Sequence, residues 1–173
     1  MEELLKRIKH KDEEAFEEIV NMFQRQLLII ATFRLGDKEF ADDAVQDTFL
    51  SLFNNCKKIK DANKMKAWLT KVLINKCNKI IKQNKNFKIS FELNYFENYI
   101  YEEDSYKNIH DEIDFYNRLK VLDTEERTII AMFYGESYSL KEISEILNIN
   151  VGTLKSKISR AKSKLKDKIG GEF

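Results

Sequence analysis

Apolar side chains along this chain recur every three or four residues. Between residues 13 and 35, Phe16, Ile19, Val20, Phe23, Leu27, Ile30 and Ala31 fall on one face of an amphipathic helix. Gly36-Asp37 is a natural break. The pattern then predicts a second helix from about Glu39 to Phe53, with Ala41, Ala44, Val45, Thr48, Phe49 and Leu52 turned inward. Asp42, Asp43, Gln46 and Asp47 lie outside that stripe. Residues 54–63 are polar without apolar periodicity and read as a loop. A third helix spans about Lys64 to Gln83, and Met65, Trp68, Leu69, Val72, Leu73 and Ile80 share its core face.

The period is lost over residues 84–107, where Phe87, Phe91, Tyr95, Phe96, Tyr99, Tyr101 and Tyr106 are set among acids. Such a segment is too aromatic for an ordinary disordered linker and too irregular for a helix. It reads either as a linker that orders against a partner or as a strap on its own protein. Helical patterning resumes from about Asn108 with Ile109, Ile113, Tyr116, Leu119 and Leu122. Thr124 is placed to cap a helix that carries Ile129, Ile130 and Phe133 and ends at Gly135.

Ser139-Leu140-Lys141-Glu142 has the form of a capping box, with the acid three residues after the hydroxyl. The helix it opens is predicted to bury Leu140, Ile143 and Leu147, and Asn148-Ile149-Asn150 follows as a turn. A last helix begins near Val151, and Val151, Leu154, Ile158, Ala161 and Leu165 repeat at steps of 3, 4, 3 and 4. From Lys155 to Lys168 there are 7 basic residues against Asp167 alone. Two short helices joined by a tight turn, the second basic, describe a helix-turn-helix. Its second helix fits the DNA major groove and its lysines neutralise phosphates. A basic C-terminal helix without nucleic acid is the alternative at this point.

Composition narrows the class. There is no proline and only 5 glycines, so Pro-rich, Gly-rich and collagen-like classes are excluded and a turn-rich β protein is disfavoured. No apolar run approaches the roughly 20 residues of a membrane span. The opening Met1-Glu2-Glu3-Leu4-Leu5-Lys6 has no secretory pattern, so a cytoplasmic protein is expected. Cys56 and Cys77 are the only cysteines, His10 and His110 the only histidines, and none has metal-ligand spacing. Neither metal nor cofactor is expected. With no phosphate-binding loop and no nucleophile–base pair, the chain is not expected to be an enzyme.

Net charge is only +1, which by itself argues against a nucleic-acid binder. The distribution argues otherwise. Residues 1–56 carry −5, residues 57–88 carry +10, residues 89–116 carry −7 and residues 117–173 carry +3. Alternating blocks favour distinct surfaces for distinct partners. On the third helix, Lys64, Lys71, Asn75, Asn78 and Lys82 form a stripe largely opposite the core face. A merely solvated helix mixes signs and gains i,i+4 pairs, and this one forgoes them. Lysine outnumbers arginine 24 to 6, leaving few planar forks for bidentate recognition of guanine.

Three runs in order carry a resemblance. Ser137-Tyr138-Ser139-Leu140-Lys141-Glu142-Ile143-Ser144-Glu145-Ile146-Leu147, continued by Val151-Gly152-Thr153-Leu154-Lys155-Ser156-Lys157-Ile158-Ser159-Arg160-Ala161, resembles the −35-reading domain of bacterial RNA polymerase sigma factors of the extracytoplasmic-function (ECF) type. Asp42-Asp43-Ala44-Val45-Gln46-Asp47-Thr48-Phe49-Leu50 resembles the family segment that binds the clamp helices of the polymerase β′ subunit. Lys66-Ala67-Trp68-Leu69-Thr70-Lys71-Val72-Leu73-Ile74-Asn75 resembles the −10 reader. The likeness covers about residues 12–84 and 115–168.

The resemblance implies an all-α fold of two small helical domains joined by a flexible linker, the second a helix-turn-helix. Residues 1–84 would bind core polymerase and read the −10 element, 85–107 would be an acidic aromatic linker through the polymerase cleft, and 108–173 would read the −35 element. Asp43, Gln46 and Asp47 match the polymerase-facing positions. Lys64, Lys71, Asn75, Asn78, Lys79 and Lys82 would meet −10 DNA, with Asn75 capturing an unstacked base and the 56–63 loop forming its pocket. Thr153, Lys155, Ser156, Lys157, Ser159 and Arg160 would lie in the −35 major groove. Relatives often carry Arg where Lys155 and Lys157 stand here, which shifts weight toward phosphate contacts and DNA shape. The implied partners are core RNA polymerase (β′ clamp helices and β flap), promoter DNA and an anti-sigma factor. A stand-alone helix-turn-helix regulator and a polymerase-binding helical adaptor are the competing readings. Gly170-Gly171-Glu172-Phe173 reads as a frayed tail.

Overall fold

A computed structural model describes residues 1–83 and 119–169. The linker expected at 85–107, the helical patterning at 108–118 and the tail Gly170–Phe173 lie outside the described residues. Every regular element among the described residues is helical. None is long and apolar enough to cross a membrane.

The first half holds α1 (Glu2–Lys9), α2 (Glu13–Leu35), α3 (Lys38–Asn55) and α4 (Met65–Gln83). Each boundary has a local cause. The Asp12 carboxylate accepts from the Ala15 N–H at 3.0 Å and starts α2. Gly36, at φ 65°, ends it in the left-handed conformation that glycine takes without a Cβ clash. Asp37 then caps α3 by accepting from the Phe40 N–H at 3.0 Å. The predicted inward stripe of α3 is the observed one: Ala41, Ala44, Val45, Thr48, Phe49 and Leu52 are buried.

Other expectations need correction. α1 has no counterpart in the sequence reading, because two turns with Leu5 and Ile8 buried give too few repeats to show a period. It is held by Arg7, which donates to Asp12 at 2.7 Å and Glu18 at 3.0 Å. The supposed loop 54–63 contains two 3₁₀ turns, Cys56–Lys58 and Ala62–Lys64, and buries Cys56, Ile59 and Ala62. On α4, Thr70, Ile74 and Cys77 are buried beside Met65, Leu69 and Leu73. Trp68, Val72 and Ile80 are only half-buried. The helix therefore has a second covered face.

The second half supplies that cover. It comprises α5 (Thr124–Ile130), α6 (Leu140–Leu147) and α7 (Val151–Ile169). Asp123, not Thr124, caps α5: its carboxylate accepts from the Glu126 N–H while Glu126 accepts from the Asp123 N–H, a reciprocal box. α5 runs into one wide turn, Ala131–Gly135, closed by Glu136 N–H donating to the Ala131 carbonyl five residues back. The Ser139–Glu142 box forms as predicted and opens α6, which ends at Asn148 in the left-handed conformation (φ 55°). Asn150 caps α7 by accepting from the Thr153 N–H at 2.7 Å. α6 buries Ile143 and Ile146, whereas Leu140 and Leu147 are half-buried. Leu154, Ile158, Ala161 and Leu165 of α7 are buried as predicted, but Val151 is exposed, because it starts the helix beyond the reach of α6.

The two halves share one core. A single apolar cluster runs from Leu27 and Ile30 of α2 and Leu73 and Cys77 of α4 to Ile129, Met132, Tyr138, Ile143 and Ile158. A smaller cluster gathers Phe33 of α2 against Leu119, Leu122, Ile130, Ala131, Ala161 and Leu165. Fully burying each such side chain contributes about 1.5–3 kcal/mol, so the joint is substantial.

Candidate polymerase and nucleic-acid interfaces

With the apolar stripe of α3 turned to the core, its outer face presents Asp43, Gln46 and Asp47 on successive turns, all exposed. Leu50, one turn further on, is 59% exposed, an apolar side chain in line with three polar ones. Asp47 accepts an ion pair from Lys76 of α4 at 3.2 Å, which ties this face to the neighbouring helix. An acidic face that ends in an exposed apolar side chain fits a basic protein surface with an apolar contact beside it.

Between Met65 and Gln83, α4 has no acidic residue. Lys64, Lys71, Asn75, Lys79 and Lys82 are exposed, so the predicted stripe is a real surface. Asn78 is different. It is half-buried, and its amide oxygen accepts from the Arg34 guanidinium at 2.5 Å. The 56–63 loop shows Lys57, Lys58, Lys60 and Asn63 to solvent and keeps Ile59 inside.

On α7, Lys155, Ser156, Ser159 and Arg160 form one exposed face, opposite Leu154, Ile158 and Ala161. Thr153 is half-buried beside the Asn150 cap. Lys157 does not join them. Its side chain is half-buried and pairs with Glu125 at 2.5 Å, while Lys164, two turns on, pairs with buried Glu126 at 2.7 Å. Together the two lysines fix α7 against α5. The exposed face keeps the geometry a groove requires, an unobstructed helix with its N-terminal residues free of cover.

Between these surfaces lies a polar seam that joins the halves. Buried Arg127 donates to the Phe33 carbonyl at 3.0 Å, the Leu122 carbonyl at 2.7 Å and the Thr124 hydroxyl at 3.1 Å. Its cation sits at the C-terminal end of α2, where the helix dipole favours positive charge. Arg34 donates to the Thr128 hydroxyl at 3.0 Å as well as to Asn78. Glu136 accepts from Gln26 through its carboxylate (2.8 Å) and from Lys66 through its backbone carbonyl (3.1 Å). Lys66 also stands 4.0 Å from the centre of the Tyr138 ring, and the Tyr138 hydroxyl meets Thr70. Burial lowers the pKa of both guanidiniums, but both remain cations at any physiological pH. The partners that cross between the halves are not readable from sequence, since each such bond joins residues tens of positions apart.

Two family models match the chain: sigma-70 region 2 over residues 19–87 and sigma-70 region 4 over residues 113–165. The ECF RNA polymerase sigma factor SigW of Bacillus subtilis is 26% identical, over 95% of this chain and 94% of that protein. The ECF RNA polymerase sigma factor SigM of Mycobacterium tuberculosis is 25% identical, over 92% of this chain and 79% of that protein. Two solved structures share the fold. The sigma factor RpoE from Bartonella quintana, determined with the anti-sigma factor NepR, has a TM-score of 0.70 at 21% identity, over 91% of this chain and 98% of that one. CnrH, determined with the cytosolic domain of CnrY, has a TM-score of 0.69 at 20% identity, over 98% and 97%. The two region models fall on the two halves in the order that the three sequence runs require, and the chain belongs to the ECF type of RNA polymerase sigma factors, which bind core polymerase and direct promoter-specific initiation of transcription.

Proposed function

We infer that this chain docks on core polymerase through the outer face of α3, reads the −10 element with α4 and reads the −35 element with α7. One observation carries the assignment: an acid-free lysine and asparagine face on α4 and a lysine, serine and arginine face on α7 lie on separate halves, beside an acidic α3 face. Asp43, Gln46 and Asp47, with Leu50 at the end of their row, meet the β′ clamp helices, and the second half meets the β flap. Asn75 captures a −10 base. Extruding it costs a few kcal/mol, which amide contacts to the base edge help offset. Lys64, Lys71, Lys79 and Lys82 neutralise the nearby phosphates. Lys155, Ser156, Ser159 and Arg160 enter the −35 groove, with Thr153 at its edge. Lys157 reaches DNA only by leaving Glu125.

The domain division follows: 1–84, a linker at 85–107 that threads the polymerase cleft, and 108–173. The chain supplies binding and positioning, and the chemistry of RNA synthesis belongs to the polymerase. It works in the cytoplasm, where polymerase and promoter meet. An anti-sigma protein is the expected regulator, by analogy with the partners of the two structural relatives. The test is fluorescence anisotropy on labelled promoter DNA with and without core polymerase. Sequence-specific binding should require core. Equal specific binding by the chain alone would instead favour a stand-alone helix-turn-helix regulator.

A further inference from the structure

Reading both promoter elements at once is incompatible with the joined halves. Elements centred about 25 base pairs apart, at ~3.4 Å per pair, set the two readers about 85 Å apart. A compact chain of 173 residues has a radius of gyration of about 16 Å and measures only about 40 Å across. The seam must therefore part in the working complex. What each seam residue meets afterwards depends on the half it stays with. Asn78 and Arg34 sit on α4 and α2, which pack together in the first half, whereas Thr128 leaves with the second.

Arg34 is the seam member left with most to gain. Its fork is held only by two neutral oxygens, those of Thr128 and Asn78. Its Nε is buried with no hydrogen-bond partner. Among the described residues no carboxylate is in ion-pair contact with it; the charge of Glu125 reaches it at longer range, but Glu125 is already paired with Lys157. A planar cation with donors to spare and no anion in contact is suited to bidentate capture of one. Asn78 marks where that anion would be, because it lies one turn from exposed Asn75, at the inner edge of the lysine and asparagine stripe of α4.

We propose that Arg34 exchanges partners between two states. In the free chain its fork, steadied by Asn78 of the same half, bolts the halves together through Thr128. In the promoter complex the same fork holds a backbone phosphate of the −10 strand beside Asn78. This rests on the −10 reading of α4 given above. A guanidinium that shares only the longer-range charge of Glu125 weakens the closed form, and the phosphate compensates it directly once the halves part. One residue thereby ties closure of the free chain to DNA capture by the open one.

The experiment compares full-length wild type with R34Q, R34K and T128V. Amide hydrogen exchange at seam residues reads how often the free chain opens. Holoenzyme affinity is read on a forked promoter fragment with a single-stranded −10 strand, across a salt series. T128V should speed exchange across the seam several-fold and leave holoenzyme affinity unchanged. R34Q should speed that exchange, weaken holoenzyme binding about tenfold and lower the salt slope by about 0.7, the value for one single-strand phosphate. R34K should restore the slope but only part of the affinity, and it stands in for R34Q if that variant loses helix content. An R34Q holoenzyme with wild-type affinity and slope would overturn the phosphate contact. Seam exchange unchanged in R34Q would overturn the bolt. N75A and K71A separate the two levels: if they also leave binding intact, the −10 reading of α4 has failed, and if they weaken it while R34Q does not, the failure is that of Arg34 alone.

Discussion

The Tyr138 hydroxyl lies 2.6 Å from Thr70 Oγ1, across the seam between the two halves. Thr70 already donates its one proton to the Lys66 carbonyl at 2.9 Å, so Tyr138 is the donor and Thr70 the acceptor. That direction makes the two deletions unequal. Tyr138→Phe removes a donor and leaves Thr70 with its bond to Lys66, costing about 1 kcal/mol. Thr70→Val leaves the Tyr138 hydroxyl buried without an acceptor and should cost more, about 1–3 kcal/mol. Urea unfolding of the two variants checks the order. Equal midpoints would contradict the assigned direction.

Alkaline pH should destabilise the chain before acid-labile groups matter. Burial raises the Cys77 thiol from 9.0 to about 12 and pushes the Tyr138 phenol above its usual 10.0. Both groups stay protonated in the folded state at a pH where the unfolded chain ionises them. Their contribution is intact below pH 9 and is lost as pH climbs from there toward 12. Each titrating group lowers stability by about 1.4 kcal/mol per pH unit within its window. Chemical denaturation at pH 8 and pH 10.5 measures the loss, and C77A with Y138F should flatten it. The same burial predicts that iodoacetamide leaves Cys77 unmodified in the native chain at pH 8.

Ser137 adopts φ 54°, in the left-handed region that serine rarely occupies. It lies between the wide turn and the α6 capping box, where the backbone must reverse before Ser139 can cap. Removing the Cβ relieves about 1–2 kcal/mol of strain, and glycine returns roughly half of that as chain entropy. Ser137→Gly should therefore raise stability by about 0.5–1 kcal/mol, seen as a higher urea midpoint with unchanged slope. A lower midpoint would mean that the serine side chain makes a compensating contact in solution.

The periodic elements were the legible part of this molecule. The α3 stripe from Ala41 to Leu52 and the Ser139–Glu142 box could be read because a helix face and a cap are set by neighbours three and four residues away. The exposed lysines of α4 and the Lys155–Arg160 face were legible for the same reason. The seam was not. Thr70 is buried against Tyr138, 68 residues later, and no local pattern encodes that. Asn78 and Lys157 look like members of exposed stripes, yet Arg34 and Glu125 hold them. Segmental charge showed that the surfaces differ, without showing that two of them close on each other.

Run-off transcription with reconstituted core polymerase tests the central claim most directly. Wild-type chain added to core should give a promoter-dependent transcript, and Asn75→Ala should lower its yield at least tenfold while leaving core binding unchanged, because Asn75 is exposed and distant in role from the α3 face. No transcript from any promoter at saturating core, together with binding of free duplex DNA as tight as in the presence of core, would contradict it.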